Sequence, residues 1–438
     1  MAKTNVRVSY SVKTHGGAPA FPHLKPIERL RRSVMACMLW ENEFYEDGAS
    51  IATRIEEAAH GVTAAELAAV AIEARQDGNL RHAPLWLLRA LVAKGGGRIV
   101  GDAIYEVISR ADEIPELLSL YWKDGKRPLA KQLKIGIARA FHKFDAYQLS
   151  KYDRPGAVRL RDALFLSHAK PKSDAQRLMW AALAQGTLPP ADTWEVGLSG
   201  GADKRETFER LLREGKLGYL ALLRNLRNMQ MAGVSTDLIE SALIERRGAG
   251  RVLPFRFVAA LRAAPMYAAA IDKALTANIR EGFAMEGMTI VLVDVSGSMS
   301  AKLSEKSDLT RMDAAAAIGA LVHSERKRVL TFSDRVVEVA PFPGLAGINV
   351  IVQSQPHGST YLSLAVEEAN KLPHDRLIVV TDEQATGFER IPAPVAKRAY
   401  MINVASATNG VGYGKWTHLD GFSESILRWI RAVERSGS

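Results

Sequence analysis

Ile290-Val-Leu-Val-Asp294-Val-Ser296-Gly-Ser298-Met-Ser300 decides how the C-terminal part of this chain folds. The apolar, β-branched run up to Val293 reads as a buried strand. It ends in an acid followed by hydroxyls at alternate positions, Asp294, Ser296 and Ser298. In an open α/β sheet, ligands bind outside the carboxyl ends of the strands. Hard oxygen donors gathered there suit a small divalent cation.

Two downstream pieces extend the pattern. His357-Gly-Ser-Thr360 leads into the helical run Tyr361-Leu-Ser-Leu-Ala-Val-Glu-Glu-Ala-Asn-Lys371, and Arg376-Leu-Ile-Val-Val-Thr-Asp382 is again an apolar strand ending in an acid. Singly, each has a plainer role. Thr360 suits a helix N-cap, Ser296 and Ser298 suit turn residues that satisfy backbone, and Asp382 suits a cap on the next element. In this order, Asp294, Ser296, Ser298, Thr360 and Asp382 resemble the metal-ion-dependent adhesion site (MIDAS) of the von Willebrand A fold. The resemblance implies that the two serines and the threonine ligate the ion directly, with the aspartates acting largely through water. The expected cofactor is a divalent cation, Mg²⁺ with Mn²⁺ as an alternative. Neutral hydroxyls leave its charge partly uncompensated, so an acidic partner group could fill an open octahedral position. Gly358-Ser359-Thr360 stands where the family often has Gly-Gly-Thr, a departure that keeps the hydroxyl.

Around this motif, strand patterns at Met288–Asp294, Arg328–Phe332, Arg335–Val339, Arg376–Thr381 and Ala399–Val404 alternate with helical ones at Leu309–Ser324, Thr360–Lys371 and Phe422–Glu434. That order predicts a doubly wound α/β domain over 286–438, mostly parallel, whose right-handed crossovers bring Asp294, Thr360 and Asp382 to one rim. Upstream, helical periodicity dominates: roughly 26–40, 64–75, 85–93, 104–110, 128–144, 157–169, 174–185, 205–231 and 236–246. Such a train predicts a multidomain chain in which 1–285 is an α-helical, HEAT-like solenoid, although no fixed-period repeat is visible.

Composition is that of an ordinary globular protein: 438 residues, 47% hydrophobic and 24% charged. No apolar run reaches transmembrane length. Met1-Ala-Lys-Thr-Asn-Val-Arg-Val-Ser-Tyr10 lacks the apolar core of a signal peptide. A lone Cys37 excludes an intramolecular disulfide and suits a small buried side chain, so a reducing cytoplasm is expected.

Charge is localised. Tyr121–Lys172 holds thirteen Lys or Arg against four Asp, which accounts for nine of the chain's net +10. Nucleic acid and anionic membrane are the partner classes such a segment favours. Leu133, Ile137, Phe141 and Phe144 form a core-facing stripe on a helix that Pro128 is placed to begin. Lys131, Arg139, His142 and Lys143 then fall toward solvent, with Lys134 at the margin. Lys151-Tyr-Asp-Arg154-Pro-Gly156 breaks that helix, and a second from about Ala157 carries Arg159, Arg161 and His168. A basic ridge across both helices suits phosphate backbones. Tyr152 could stack on a base or simply pack.

Three further strings precede the Asp294 motif: Trp40-Glu-Asn-Glu-Phe-Tyr-Glu-Asp-Gly48, Tyr219-Leu-Ala-Leu-Leu-Arg-Asn-Leu-Arg-Asn-Met-Gln-Met-Ala-Gly-Val234, and Val252-Leu-Pro-Phe-Arg-Phe-Val258. They are similar to motifs of the TROVE module, and the whole chain resembles the Ro ribonucleoprotein family. The resemblance implies a HEAT-like ring that binds small structured Y-like RNA outside and takes single-stranded 3′ ends of misfolded RNA through its hole. It also implies a monomeric protein within a ribonucleoprotein, an exoribonuclease as partner, and RNA quality control without catalysis. Leu166-Ser-His168-Ala-Lys170-Pro171 looks like the family's Leu-Ser-His-x-Lys-Pro string, whose histidine contacts RNA, and Lys151 resembles a basic RNA-contacting position. A family arginine aligns near Pro155, so Arg154 stands beside the matched place. Arg224 and Arg227, three apart, share a helix face. They could line the hole or form ion pairs with a neighbouring helix.

Three function classes remain. An RNA-binding scaffold fits the localised charge. A metal-dependent protein-interaction scaffold, whose partner's acidic residue completes the MIDAS shell, fits the hydroxyl set. A phosphoryl-transfer enzyme fits least, because the clustered carboxylates of a two-metal centre, a Gly-x-x-x-x-Gly-Lys-Ser/Thr loop and a Gly-x-Ser-x-Gly elbow are all missing from the sequence.

Overall fold

The computed structural model describes residues 26–34, 48–78, 80–252, 254–281, 284–302, 309–386, 390–405 and 415–420, with 426–427, 430–431 and 434 near the C-terminus. Cys37, the first ten residues and the Trp40 string up to Asp47 lie outside the described residues, as does most of the helix expected at Phe422–Glu434. The chain divides into two compact units, Ala52–Ala249 and Met1–Ile51 together with Gly250–Ser438.

The second of these holds a six-stranded sheet: β1 (Met285–Asp294), β2 (Ser324–Phe332), β3 (Val336–Val339), β4 (Arg376–Thr381), β5 (Arg398–Asn403) and β6 (Thr417–Asp420), in spatial order β3-β2-β1-β4-β5-β6. All neighbours are parallel except the β2–β3 hairpin. The order reverses between β1 and β4, which makes their carboxyl ends the crevice of the sheet. Alternate residues of β1 face opposite layers, as strand geometry requires. Ile290 and Leu292 pack with Leu362, Ala365 and Val366 of the Leu362–Asn370 helix. Val291 and Val293 face the Arg311–Leu321 helix. There Gly319 approaches so closely that a Cβ would lie 2.8 Å from Val293 Cγ2. Burial on both faces explains why β1 and β4 read as unbroken apolar runs.

Five strands occupy the expected places, while the short edge strand β6 and the Gly344–Val352 helix were not foreseen. The boundary also differs from the expected 285/286. The helices Pro254–Ala263 and Ala268–Glu281 belong to the unit with the sheet. Arg262 pairs with Asp313, and Asp272 Oδ1 accepts the Leu345 N–H at 2.9 Å. Periodicity marks a helix but not the core onto which it packs.

Lys327 on β2 donates to the carbonyls of Gly319 and Ala320 at 3.3 and 3.1 Å. Burial pushes its amine down from 10.5 to about 8. A depressed amine makes the fold hold its proton less tightly than the unfolded chain does. The penalty is complete below about 8 and is relieved as pH rises to 10.5. Wild type should therefore gain up to about 3 kcal/mol relative to Lys327→Met between pH 7 and 10.5. Urea titrations of both proteins across that range test this, and a pH-independent difference would reject it.

The Ala52–Ala249 unit is entirely helical among its described residues. Leu133, Ile137, Phe141 and Phe144 are buried as the stripe predicts. Gly136 lets the Lys131–Phe141 helix touch Arg98–Val107, where a Cβ would come within 2.6 Å of Ile104 Cβ. The helix begins at Lys131 rather than Pro128, whose carbonyl accepts the Tyr121 hydroxyl at 2.8 Å. The run expected at 205–231 is two helices, Lys204–Arg213 and Tyr219–Met231, parted where Gly215 adopts φ +65. A further helix, Ala146–Tyr152, lies between the expected helices 128–144 and 157–169 and takes in the first two residues of the expected break. No helix among the described residues is long and apolar enough to cross a membrane.

Candidate metal centre and nucleic-acid surface

Asp294 ends β1 and Asp382 directly follows β4, so parallel neighbours deliver two carboxylates to one rim. Both are fully buried, as is Ser296, and Thr360 is 4% exposed. The loop before the Leu362–Asn370 helix is tied to the ends of β1 and β2. Gly297 N–H donates to Gly358 O at 2.9 Å, Gly358 N–H to Ser333 Oγ at 2.7 Å, and Tyr361 N–H to Ser333 O at 3.2 Å. Thr360 is thereby held over the β1 turn. Its hydroxyl donates to Ser296 Oγ at 2.8 Å, and Ser296 Oγ lies 3.4 Å from Ser298 Oγ. The helix N-cap is Tyr361, without a side-chain cap bond, so the plain capping role for Thr360 does not hold.

Asp294 Oδ1 accepts the Ser296 N–H at 2.9 Å and Oδ2 accepts the Thr381 hydroxyl at 2.6 Å. Burial, then the charge of Asp382, pushes the Asp294 carboxyl up to about 7. Asp382 accepts the Gln384 N–H at 3.2 Å and faces the Arg311 guanidinium at 3.5 Å.

Three hydroxyls and two buried carboxylates thus converge. Adjacent oxygens around an octahedral Mg²⁺ with ligands at about 2.1 Å are about 3 Å apart. The observed spacings of 2.8 and 3.4 Å bracket that value. The set could hold a hard cation, which would also relieve the crowding of two buried acids. Among the described residues no cluster of three His, Cys, Asp or Glu that could hold a metal occurs. Sequence reasoning missed Arg311 and Thr381. Arg311 had a signal: a cation in the first turn of a helix opposes the macrodipole.

The basic residues separate into engaged and free groups. Arg139 pairs with Asp102 and covers the Tyr105 ring at 4.7 Å. Lys143 donates to the carbonyls of Tyr105 and Ile108, and burial lowers its amine. His142 bonds Gln176 at 3.0 Å and packs on Trp180. These three, expected in solvent, instead join neighbouring helices, because a long side chain at a stripe's edge can reach the next helix's carbonyls and rings. Arg159 pairs with Asp153 at 3.5 Å, and Arg161 lies 3.9 Å from Asp162.

Lys131, Arg154 and Lys170 are exposed, with Lys134 and Lys151 half-buried, and none of them forms an ion pair among the described residues. His168 closes the Leu160–Ser167 helix in the left-handed region at φ 54 and is exposed, so it is no packing histidine. Tyr152 lies under Arg110 at 4.7 Å, which favours its packing role. Two exposed aromatics went unnoticed in the sequence: Tyr147 beside Lys151, and Phe165, 64% exposed, near His168. Arg224 and Arg227 are both exposed, and neither makes an ion pair among the described residues.

Residues 181–275 match the TROVE domain. The fold is similar to the crystal structure of the Deinococcus radiodurans RO (RSR) protein. Identity is 18% and the TM-score 0.66, over 94% of this chain and 100% of that one.

Proposed function

We propose that this chain, which carries TROVE-domain sequence on the fold of a Ro protein, is a non-catalytic RNA-binding scaffold. It forms a ribonucleoprotein with a small structured, Y-like RNA and holds single-stranded ends of misfolded RNA for quality control or decay by an exoribonuclease. The observation that carries this reading is the concentration of nine net positive charges in Tyr121–Lys172, where Lys131, Arg154 and Lys170 remain exposed without acidic partners among the described residues. Phosphates supply the counter-charge that the protein does not. His168 and Lys151 add contacts on the same segment, and the exposed pair Arg224 and Arg227 meets a single strand.

Crosslinking in the native cells, followed by sequencing of the bound RNA, tests this. An abundant structured small RNA crosslinked between Lys151 and Lys170 is expected, and no RNA above an untagged control would overturn the reading. Binding should also survive EDTA, because the ridge needs no metal.

The convergence of hydroxyls and carboxylates at 294–298, 360 and 382 favours a second role in the same chain. Ser296, Ser298 and Thr360 would hold Mg²⁺ or Mn²⁺, with Asp294 and Asp382 behind them. A bound cation supplies Lewis acidity toward a carboxylate, so the partner is a protein offering an acidic side chain. Loss of such a partner in Ser296→Ala, with RNA binding intact, is the expected result.

A further inference from the structure

An open groove of about 460 Å³ lies between the 121–128 segment and the Leu160–Ser167 helix, with Trp122, Lys126, Arg127, Val158, Asp162 and Leu166 in its lining. A volume of this order suits a small ligand or a single nucleotide. Of these residues, only Leu166 falls in a string that the sequence linked to RNA, and there the contact was expected of His168.

The groove is preformed by local bonds. Tyr121 Oη donates to Pro128 O at 2.8 Å, and Trp122 Nε1 donates to Arg127 O at 2.8 Å. The Arg127 guanidinium also covers the Tyr121 ring at 4.2 Å. With its N–H committed to a carbonyl, Trp122 offers a ligand its π surface rather than a donor. Leu166, 37% exposed, adds apolar surface. Lys126 and Arg127 are exposed and form no ion pair among the described residues. Asp162 contributes an acceptor, although one of its oxygens already holds the Arg159 N–H at 2.9 Å.

An aromatic and apolar lining beside two cations that form no ion pair among the described residues calls for a flat ring carrying a nearby anion. Bases stack on aromatic side chains without regard to sequence, and cations track the phosphates. We propose that this groove receives one unstacked nucleotide, its base against Trp122 and Leu166 and its phosphate on Lys126 and Arg127. The proposal rests on the RNA-binding reading and deepens it: one base is pulled from the strand while the ridge holds the backbone.

The test uses the full chain with a short single-stranded oligonucleotide, a series of it with single abasic positions, and free UMP and AMP. In wild type, one abasic position should weaken binding by roughly 5- to 150-fold, the span of one stacked base. Trp122→Leu should weaken the intact oligonucleotide similarly and make that abasic position silent. Lys126→Gln with Arg127→Gln, which also gives up the Arg127 cover on the Tyr121 ring, should lower the salt slope by about 0.7, the share of one phosphate on a single strand.

Wild-type RNA binding that neither Trp122→Leu nor any abasic position alters would overturn the groove proposal and leave the RNA reading standing. If wild type binds no RNA, both fall together. Binding of UMP or AMP that Trp122→Leu abolishes, with the oligonucleotides unaffected, would keep the site but assign it to free nucleotides.

Discussion

Mg²⁺ is expected to stabilise the wild-type protein and to leave Asp294→Asn unaffected. A ligand that binds only the folded state at 100 times its Kd contributes about 2.7 kcal/mol, which a thermal melt resolves easily. The amide keeps an acceptor for the Ser296 N–H or the Thr381 hydroxyl, the partners of the native carboxylate, so folding is preserved while the charge is lost. The pH dependence follows from the raised carboxyl, 3.8 ordinarily and about 7 here. Without metal, the folded protein holds this proton after the unfolded chain has released it. The group's contribution is then complete below 3.8 and lost as pH rises through about 7. Metal binding requires the ionised form. Mg²⁺ stabilisation should therefore grow between pH 6 and 8 in wild type and stay absent from the variant. An equal rise in melting temperature with Mg²⁺ in both proteins would remove Asp294 from the site.

Replacing Lys151, Arg154 and Lys170 together with Ala should weaken binding of every RNA tested by about 100-fold near 0.1 M salt. Each phosphate left without its cation lowers the slope of log K against log salt by about 0.7 to 0.9. Three such phosphates therefore change it by about 2 to 3, which near 0.1 M salt is the stated factor. The weakening should be uniform across sequences, because phosphates position a strand and do not specify it. Arg159→Ala alone should cost less than Lys170→Ala, since Arg159 already spends part of its charge on Asp153. Unchanged slopes in the triple variant would remove the ridge from the RNA surface.

How legible the fold was depended on burial. β1 and β4 lie under helices on both faces, so their apolar runs could be nothing else over that length. The edge strand Thr417–Asp420 is short and mixed in character, and left no such mark. The convergence of the hydroxyls and acids of the candidate metal centre could be read because each follows directly on a strand or precedes a helix. Arg311 could not be assigned to them, since its partner Asp382 is far along the chain and the 3.5 Å approach exists only after folding.

The sequence by itself determined the alternation of strand and helix after Met285, the five oxygen-bearing residues after the strands and before the Leu362–Asn370 helix, and the place of the positive charge. These are local properties, set by side-chain type and period within a few residues. Only the tertiary structure decided which cations are free: Arg139 and Lys143 turned inward to Asp102 and to the carbonyls of Tyr105 and Ile108, while Lys170 stayed in solvent. It alone also placed Trp122 across a groove from Leu166. The reason is physical. Whether a long charged side chain meets water, a carboxylate or a carbonyl depends on the neighbouring helix, and no period along one helix encodes that neighbour.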